Sequence, residues 1–191
     1  PVALALRAKG DIKPNITADH LGAFRYGMKC FFEEGRALAK LSHPNVVRVL
    51  NFFRANETVY MVMEYEHGRT LQEFIQRRKG LMSERYMRSI FTRMLNGLRE
   101  VHSNKLLHLD LKPSNILVTV NDGAPVPKVI DFGIAKSTKM GAGTLLQGQF
   151  AGKFNWVSPE QLGAFGGVVD GRSDIYSLGL ITAAASKGEV L

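Results

Sequence analysis

The chain of 191 residues has one cysteine, Cys30. One thiol excludes an internal disulfide and any metal site built on several thiolates. That count fits a reducing, cytoplasmic setting, and Cys30 lies in an apolar helical stretch where packing is the ordinary role of a free thiol. Long hydrophobic runs are also missing. The least charged apolar stretch, Ile175 to Ser186, is too short to span a bilayer, so no membrane segment is expected within the chain. No signal peptide opens it. It begins Pro-Val-Ala-Leu and ends Gly-Glu-Val-Leu, which reads as an interior segment of a longer polypeptide. Acidic residues are the minority, 17 against 25 basic, for a formal net charge of +8. Such an excess attracts polyanions. The basic residues are dispersed, however, with Arg77-Arg78-Lys79 the longest run and no aromatic-interleaved stripe. Nucleic-acid binding as the main role is therefore not expected.

What remains is ordinary globular composition, 45% hydrophobic and 22% charged, without an internal repeat. Gly10, Pro14 and Gly22 punctuate the first thirty residues as a loop or insertion. From Met28 the spacing of Phe31, Phe32, Leu38 and Leu41 predicts a helix, stopped by Pro44. Val46–Phe53 and Thr58–Glu64, rich in β-branched and aromatic residues, predict a hairpin. Thr70 and Glu73 form a capping box opening a helix over Leu71–Lys79. Ser83 can cap a longer helix with the stripe Met87, Ile90, Phe91, Met94, Leu98 and Val101. Two short strands follow, Ile116–Val120 and Lys128–Ile130, joined through Asn121-Asp122-Gly123. Residues 136–152 read as an exposed Gly-rich loop, and a last helix starts near Ser173.

The chemistry concentrates just after the long helix, in His108-Leu109-Asp110-Leu111-Lys112-Pro113-Ser114-Asn115. Twenty-one positions beyond Asp110 comes Asp131-Phe132-Gly133, at the end of a short strand. Two carboxylates and one carboxamide converging on a cleft can hold Mg²⁺, which prefers hard oxygen ligands. A lysine two residues from a carboxylate can neutralise a phosphate while the carboxylate takes a hydroxyl proton. That is equipment for phosphoryl transfer, where positioning and charge stabilisation supply most of the catalysis.

These residues resemble the catalytic loop and metal-binding motif of Hanks-type, eukaryotic-like serine/threonine protein kinases. The resemblance runs from about Met28 to Ser186, and Asp-Ile-Tyr-Ser-Leu-Gly with Pro-Glu-Gln is similar to bacterial members. It implies an α+β, two-lobed kinase-like fold, truncated at both ends, with residues 1–63 in a partial small lobe and 64–191 in a partial large lobe. It implies ATP and Mg²⁺ (or Mn²⁺) as cofactors and a protein with Ser or Thr hydroxyls as partner. By this match Asp110 orients the substrate hydroxyl and accepts its proton, Lys112 contacts the γ-phosphate, and Asn115 and Asp131 hold the metal. Gly133 launches the activation segment. Met63 takes the gatekeeper position, and the Glu64–Tyr65 backbone meets adenine. Glu34, followed by His43-Pro44-Asn45, corresponds to the helix glutamate that pairs with an ATP-binding lysine. Ser158-Pro159-Glu160 resembles the close of the activation segment, with Glu160 expected to pair with a later arginine. Asp174 is expected to hydrogen-bond the backbone of the catalytic loop.

The pattern also breaks. No Gly-x-Gly-x-x-Gly loop and no strand lysine precede Glu34, and Lys9, Lys13 and Lys29 lack the strand context. Leu109 replaces the arginine of the common His-Arg-Asp triplet, so switching is not expected to depend on a phosphate read by that arginine, although Thr138 and Thr144 could carry one. Lys153 stands where a threonine usually bridges the catalytic Asp and Lys. By itself the 191-residue piece is expected to bind ATP weakly and to expose apolar surface. Two rivals are a pseudokinase that recruits partners and a small-molecule phosphotransferase of related fold. Retention of Asp110, Lys112, Asn115 and Asp131 speaks against the first. The long segment from Asp131 to Glu160 speaks against the second.

Overall fold

The computed structural model describes residues 18–77, 81–132 and 154–190. The expected loop at 136–152, and with it Gly133, Thr138, Thr144 and Lys153, lies outside the described residues, as do Lys9 and Lys13. The order of main elements is a helix, a hairpin, a two-residue strand, two helices, a second hairpin and a last helix. Among the described residues no helix is long and apolar enough to cross a membrane.

Helix α1 runs over Ala18–Leu38, ten residues earlier than the apolar spacing suggested. Gly22 therefore lies inside the helix rather than in a loop. A single helical glycine costs only about 1 kcal/mol, which the remaining turns can absorb. Lys29 projects from this helix toward Glu33 at 4.0 Å, an exposed pair one turn apart. Strands β1 (Val49–Ala55) and β2 (Thr58–Met63) form the foreseen antiparallel hairpin. Asn56 and Glu57 at its tip have φ of 49° and 55°, the left-handed pair that a two-residue turn between twisted strands requires.

Residues 45–47 do not extend that hairpin. They leave it to pair in parallel with the far sheet, where Val47 N–H donates to Val129 O and Val129 N–H to Asn45 O, both at 2.9 Å. That sheet holds β3 (Arg69–Thr70), β4 (Ile116–Asn121) and β5 (Ala124–Val129) in the order β3-β4-β5. The two-residue β3 had no visible signal, being too short for any periodicity. Strand β5 begins four residues earlier than expected because Pro125 and Pro127, normally strand breakers, sit on its outer edge. Their carbonyls are taken from outside by Arg93 at 3.2 Å and by the Asn45 amide at 2.8 Å.

Helix α2 (Leu71–Arg77) opens on the foreseen capping box. Thr70 N–H donates to the Glu73 carboxylate and Glu73 N–H to the Thr70 hydroxyl, at 3.0 and 3.2 Å. Helix α3 (Glu84–Ser103) is capped by Ser83, whose hydroxyl accepts from Tyr86 N–H at 3.3 Å. Ile90, Phe91, Met94, Leu98 and Val101 of its stripe are buried. The first four meet Leu71, Ile75, Leu111, Ile116, Val129 and Ile181 in the main core. The last helix, α4 (Gly171–Lys187), starts two residues before the expected point because Asp170 provides its cap. A smaller core joins Leu38, Leu41, Val46 and Val49 to Val101, and Phe132 packs against both cores.

Candidate active site

The loop after α3 is fixed before its chemistry begins. Asp174, fully buried on α4, accepts hydrogen bonds from the N–H groups of His108 (2.9 Å) and Leu109 (2.8 Å). The ring of His102, in the last turn of α3, reaches the same carboxylate at 2.8 Å. Burial alone pushes the pKa of Asp174 up, but the His102 ring and the two backbone N–H groups outweigh it and hold the carboxyl below its ordinary value. The foreseen tie to the loop backbone is thus present. His102 was not foreseen: a histidine at a helix C-terminus is favoured by the dipole alone, and its partner lies 72 positions away.

Leu109 has φ of 55°, an unfavourable conformation for a residue with a Cβ. It is held there from both sides, because its carbonyl accepts from Gln161 Nε2 at 3.0 Å while its N–H is bound to Asp174. Gln161 also accepts from the Ser158 N–H and hydroxyl in a capping box. The Ser-x-x-Gln spacing could have revealed that box, but not the reach to Leu109.

His108 links this loop to the second half of the site. Its Nδ1 accepts from Asp110 N–H at 3.2 Å, so the proton sits on Nε2, which donates to Ile130 O at 3.0 Å. The ring lies 4.7 Å from that of Phe132. The residue preceding Asp131 is thereby bound to the residue two before Asp110.

At the centre, Lys112 Nζ lies 2.9 Å from Asp110 Oδ2. The Asn115 amide nitrogen donates to Asp110 O at 2.9 Å and to Asp110 Oδ2 at 3.1 Å, and approaches Asp131 O at 3.5 Å. Asn115 is buried, and its N–H donates to Lys112 O at 2.9 Å, so a short 3-10 turn over Pro113–Asn115 sets the spacing. Asp131 is exposed and left-handed, with φ of 54°. Asp110, Lys112, Asn115 and Asp131 are therefore brought together.

The other expected residues are more dispersed. Glu34 falls in α1, but its side chain lies outside the described residues, as does that of Cys30. Met63 ends β2 and packs against the smaller core. Glu64 N–H donates to Arg48 O at 2.9 Å, so only its carbonyl remains for a ligand. Tyr65 is 81% exposed, with its ring edge-on to His67. Glu66, which the sequence did not single out, forms a half-buried ion pair with Lys128 of β5. Glu160 accepts from the Ser173 hydroxyl at 2.6 Å, and that bond holds its pKa below the ordinary carboxylate value.

Among the described residues no three His, Cys, Asp or Glu side chains gather as a metal centre. The residues gathered there that carry oxygen donors include Asp131, with its carboxylate, and Asn115, with its amide oxygen. The Asn115 amide nitrogen is engaged by Asp110, which leaves the amide oxygen as the atom that could take a cation. Such a sparse all-oxygen set suits Mg²⁺, which keeps waters and takes its other ligands from phosphates.

A model of the protein kinase domain matches residues 20–191. The chain belongs to the protein kinase family. Proteins named as bacterial serine/threonine kinases are among its relatives. The Clostridium perfringens protein named "Probable serine/threonine-protein kinase CPE1738" is 41% identical over 79% of this chain and 21% of its own length. Serine/threonine-protein kinase pkn3 of Myxococcus xanthus is 38% identical over 79% of this chain and 28% of its own. The kinase chain thus spans between about a fifth and somewhat over a quarter of the length of these curated relatives. Among solved structures, Rad53 1–466 in complex with AMP-PNP superposes with a TM-score of 0.69 at 29% identity, covering 85% of this chain and 39% of that one. The fold is accordingly α+β and protein kinase-like, present in part.

Proposed function

We propose that the protein carrying this domain transfers the γ-phosphate of ATP to serine and threonine hydroxyls of proteins. One observation carries the reading: the Asp110 carboxylate is held at hydrogen-bond distance by both Lys112 and Asn115, beside the backbone of Asp131. In this assignment an incoming hydroxyl gives its proton to Asp110 as its oxygen attacks the γ-phosphorus, and ADP leaves with the bridging oxygen. Lys112 shares the negative charge of the transferring group. Asn115 and Asp131 would hold Mg²⁺ (or Mn²⁺), which when bound neutralises the phosphate oxygens and fixes their direction. Residues 1–63 are assigned to the small lobe and 64–191 to the large one. The adenine is assigned to the 64–65 backbone beside Met63, through the Glu64 carbonyl, and Glu34 to a lysine pair. The ATP requirement is supported by family membership and by the AMP-PNP complex of the structural relative. It suits a cytoplasmic setting.

The test is transfer of labelled γ-phosphate to dephosphorylated casein by the full-length protein and its Asp110→Asn variant. Removing the proton acceptor is expected to lower turnover at least about a hundredfold, with nucleotide binding retained. A variant of undiminished activity would overturn the assignment. Transfer confined to small hydroxylated acceptors would favour a small-molecule phosphotransferase.

A further inference from the structure

Residues 64–68 join β2 to β3, and all of them but one are exposed. Tyr65 and His67 face water, their rings edge to face at 4.9 Å. Glu66 alone turns inward. Its carboxylate meets Lys128 Nζ, and each of the two side chains is 17% exposed. In β5 Lys128 stands between the buried Pro127 and Val129, so strand alternation sends it to the opposite face. Its cross-strand partner there is Leu117 of β4. Charged side chains withdrawn this far from water are usually paired, and this pair joins positions 62 apart along the chain.

On one side the pair ties down the linker between its two fixed ends. Glu64 N–H donates to Arg48 O at 2.9 Å, and Gly68 lies so close to β4 that a Cβ would stand 2.7 Å from Val118 O. On the other side Lys128 stands three residues before Asp131, and the backbone between them is pinned. Val129 N–H donates to Asn45 O at 2.9 Å and Ile130 N–H to Asn115 O at 3.0 Å, while Ile130 O accepts from His108 at 3.0 Å. A displacement of Lys128 is therefore felt at Asp131. The pair couples the backbone assigned to adenine with the residue assigned to the metal and phosphates.

We propose that Glu66 and Lys128 are positioning residues for the nucleotide, their ion pair setting the span between the 64–65 backbone and Asp131. This rests on the kinase reading and adds to it how the two ends of the nucleotide site are kept in register. ATP must engage both ends at once, so a linker released by about 1 Å loses much of the fit. Neither residue needs to touch the nucleotide or move a proton. Removing one partner leaves the other charge withdrawn from water without its counter-charge, and the linker shifts as that group seeks solvent.

The experiment uses the full-length protein, with Mg-ATP and dephosphorylated casein for turnover and Mg-ADP for binding by calorimetry. Glu66→Gln and Lys128→Met are each expected to raise KM for ATP about fivefold or more, the low end of coupling between separated contacts. The dissociation constant for Mg-ADP should rise by the same factor, with kcat and the KM for casein little changed. The charge-exchanged double variant, Glu66→Lys with Lys128→Glu, should recover most of both losses. A double variant no better than the single ones would overturn the pair as the cause. Unchanged affinity for ATP and ADP in both single variants would overturn the positioning role, even if their thermal midpoints fell. So would a loss confined to kcat, which would place the effect in the catalytic loop. If the unaltered protein binds Mg-ADP but transfers nothing, the kinase reading falls while the ADP titrations still decide the pair. Binding of neither nucleotide overturns both.

Discussion

Asp174 shows how much of the site depends on one buried charge. Its carboxylate has no solvent contact and faces His102, His108 N–H and Leu109 N–H. Replacing it with Asn removes one acceptor oxygen and the charge that these donors face. The Asp174→Asn variant is expected to lose roughly 2–4 kcal/mol of stability, the cost of leaving buried donors poorly matched. Its carboxyl lies below its ordinary pKa in the folded protein, so the stabilisation is present in full above the unfolded-chain value of about 3.9 and is lost as pH falls through the lower folded value. Urea midpoints followed from neutral pH into acid should therefore fall more steeply for the unaltered protein than for the variant. Parallel acid limbs would show that Asp174 contributes no such linkage. At this scale the gathering of Asp110, Lys112, Asn115 and Asp131 was legible, because residue type and local spacing suggested one site. His102 and Gln161 were not, since their roles depend on partners 72 and 52 positions away.

Among the elements, α1 and the β1–β2 hairpin are set against each other by an absent side chain. A Cβ on Gly35 would stand 2.3 Å from the ring of Phe52, which itself touches Phe31 and Phe32 at ring separations of 5.4 and 5.1 Å. Gly35 is buried and next to Glu34, so the gap it leaves sets how near that part of α1 comes to the hairpin. Gly35→Ala would raise intrinsic helix propensity, yet it must displace the Phe52 ring. The net expectation is a loss of about 1–3 kcal/mol, typical of overpacking, measured by thermal or urea unfolding. Unchanged or increased stability would show that Phe52 yields without cost. The helices and the hairpins were legible from period and caps. Their boundaries moved where one tolerated glycine continued a helix at Gly22, or where edge prolines continued a strand at Pro125 and Pro127.

Over the whole molecule, the hairpin and the β3-β4-β5 sheet are fastened by the short stretch 45–47. Asn45 is 5% exposed and spends its side-chain amide on Pro127 O while its carbonyl accepts from Val129 N–H. Two residues beyond Val129 the chain reaches Asp131. Asn45→Ala would leave the Pro127 carbonyl short of a donor, at a cost of roughly 1–3 kcal/mol. Amide exchange is expected to quicken at Val47 and Val129, with that in the middle of α3 little changed. Uniform exchange in variant and parent would deny Asn45 this fastening role. The ion pair between Glu66 and Lys128 ties the segment between β2 and β3 to β5.

By itself the sequence determined which residue types gather after α3 and most of the elements. Hard oxygen donors, a lysine beside a carboxylate and the caps of α2 and α3 act over a few positions, so their meaning is local. Only the tertiary structure decided what holds that chemistry still. Asp174 beneath Leu109, Gln161 behind it, and Asn45 across to β5 join segments distant along the chain. No periodicity records such pairings, because each depends on how separate cores, bridged by Phe132, bring remote backbone groups within hydrogen-bond reach.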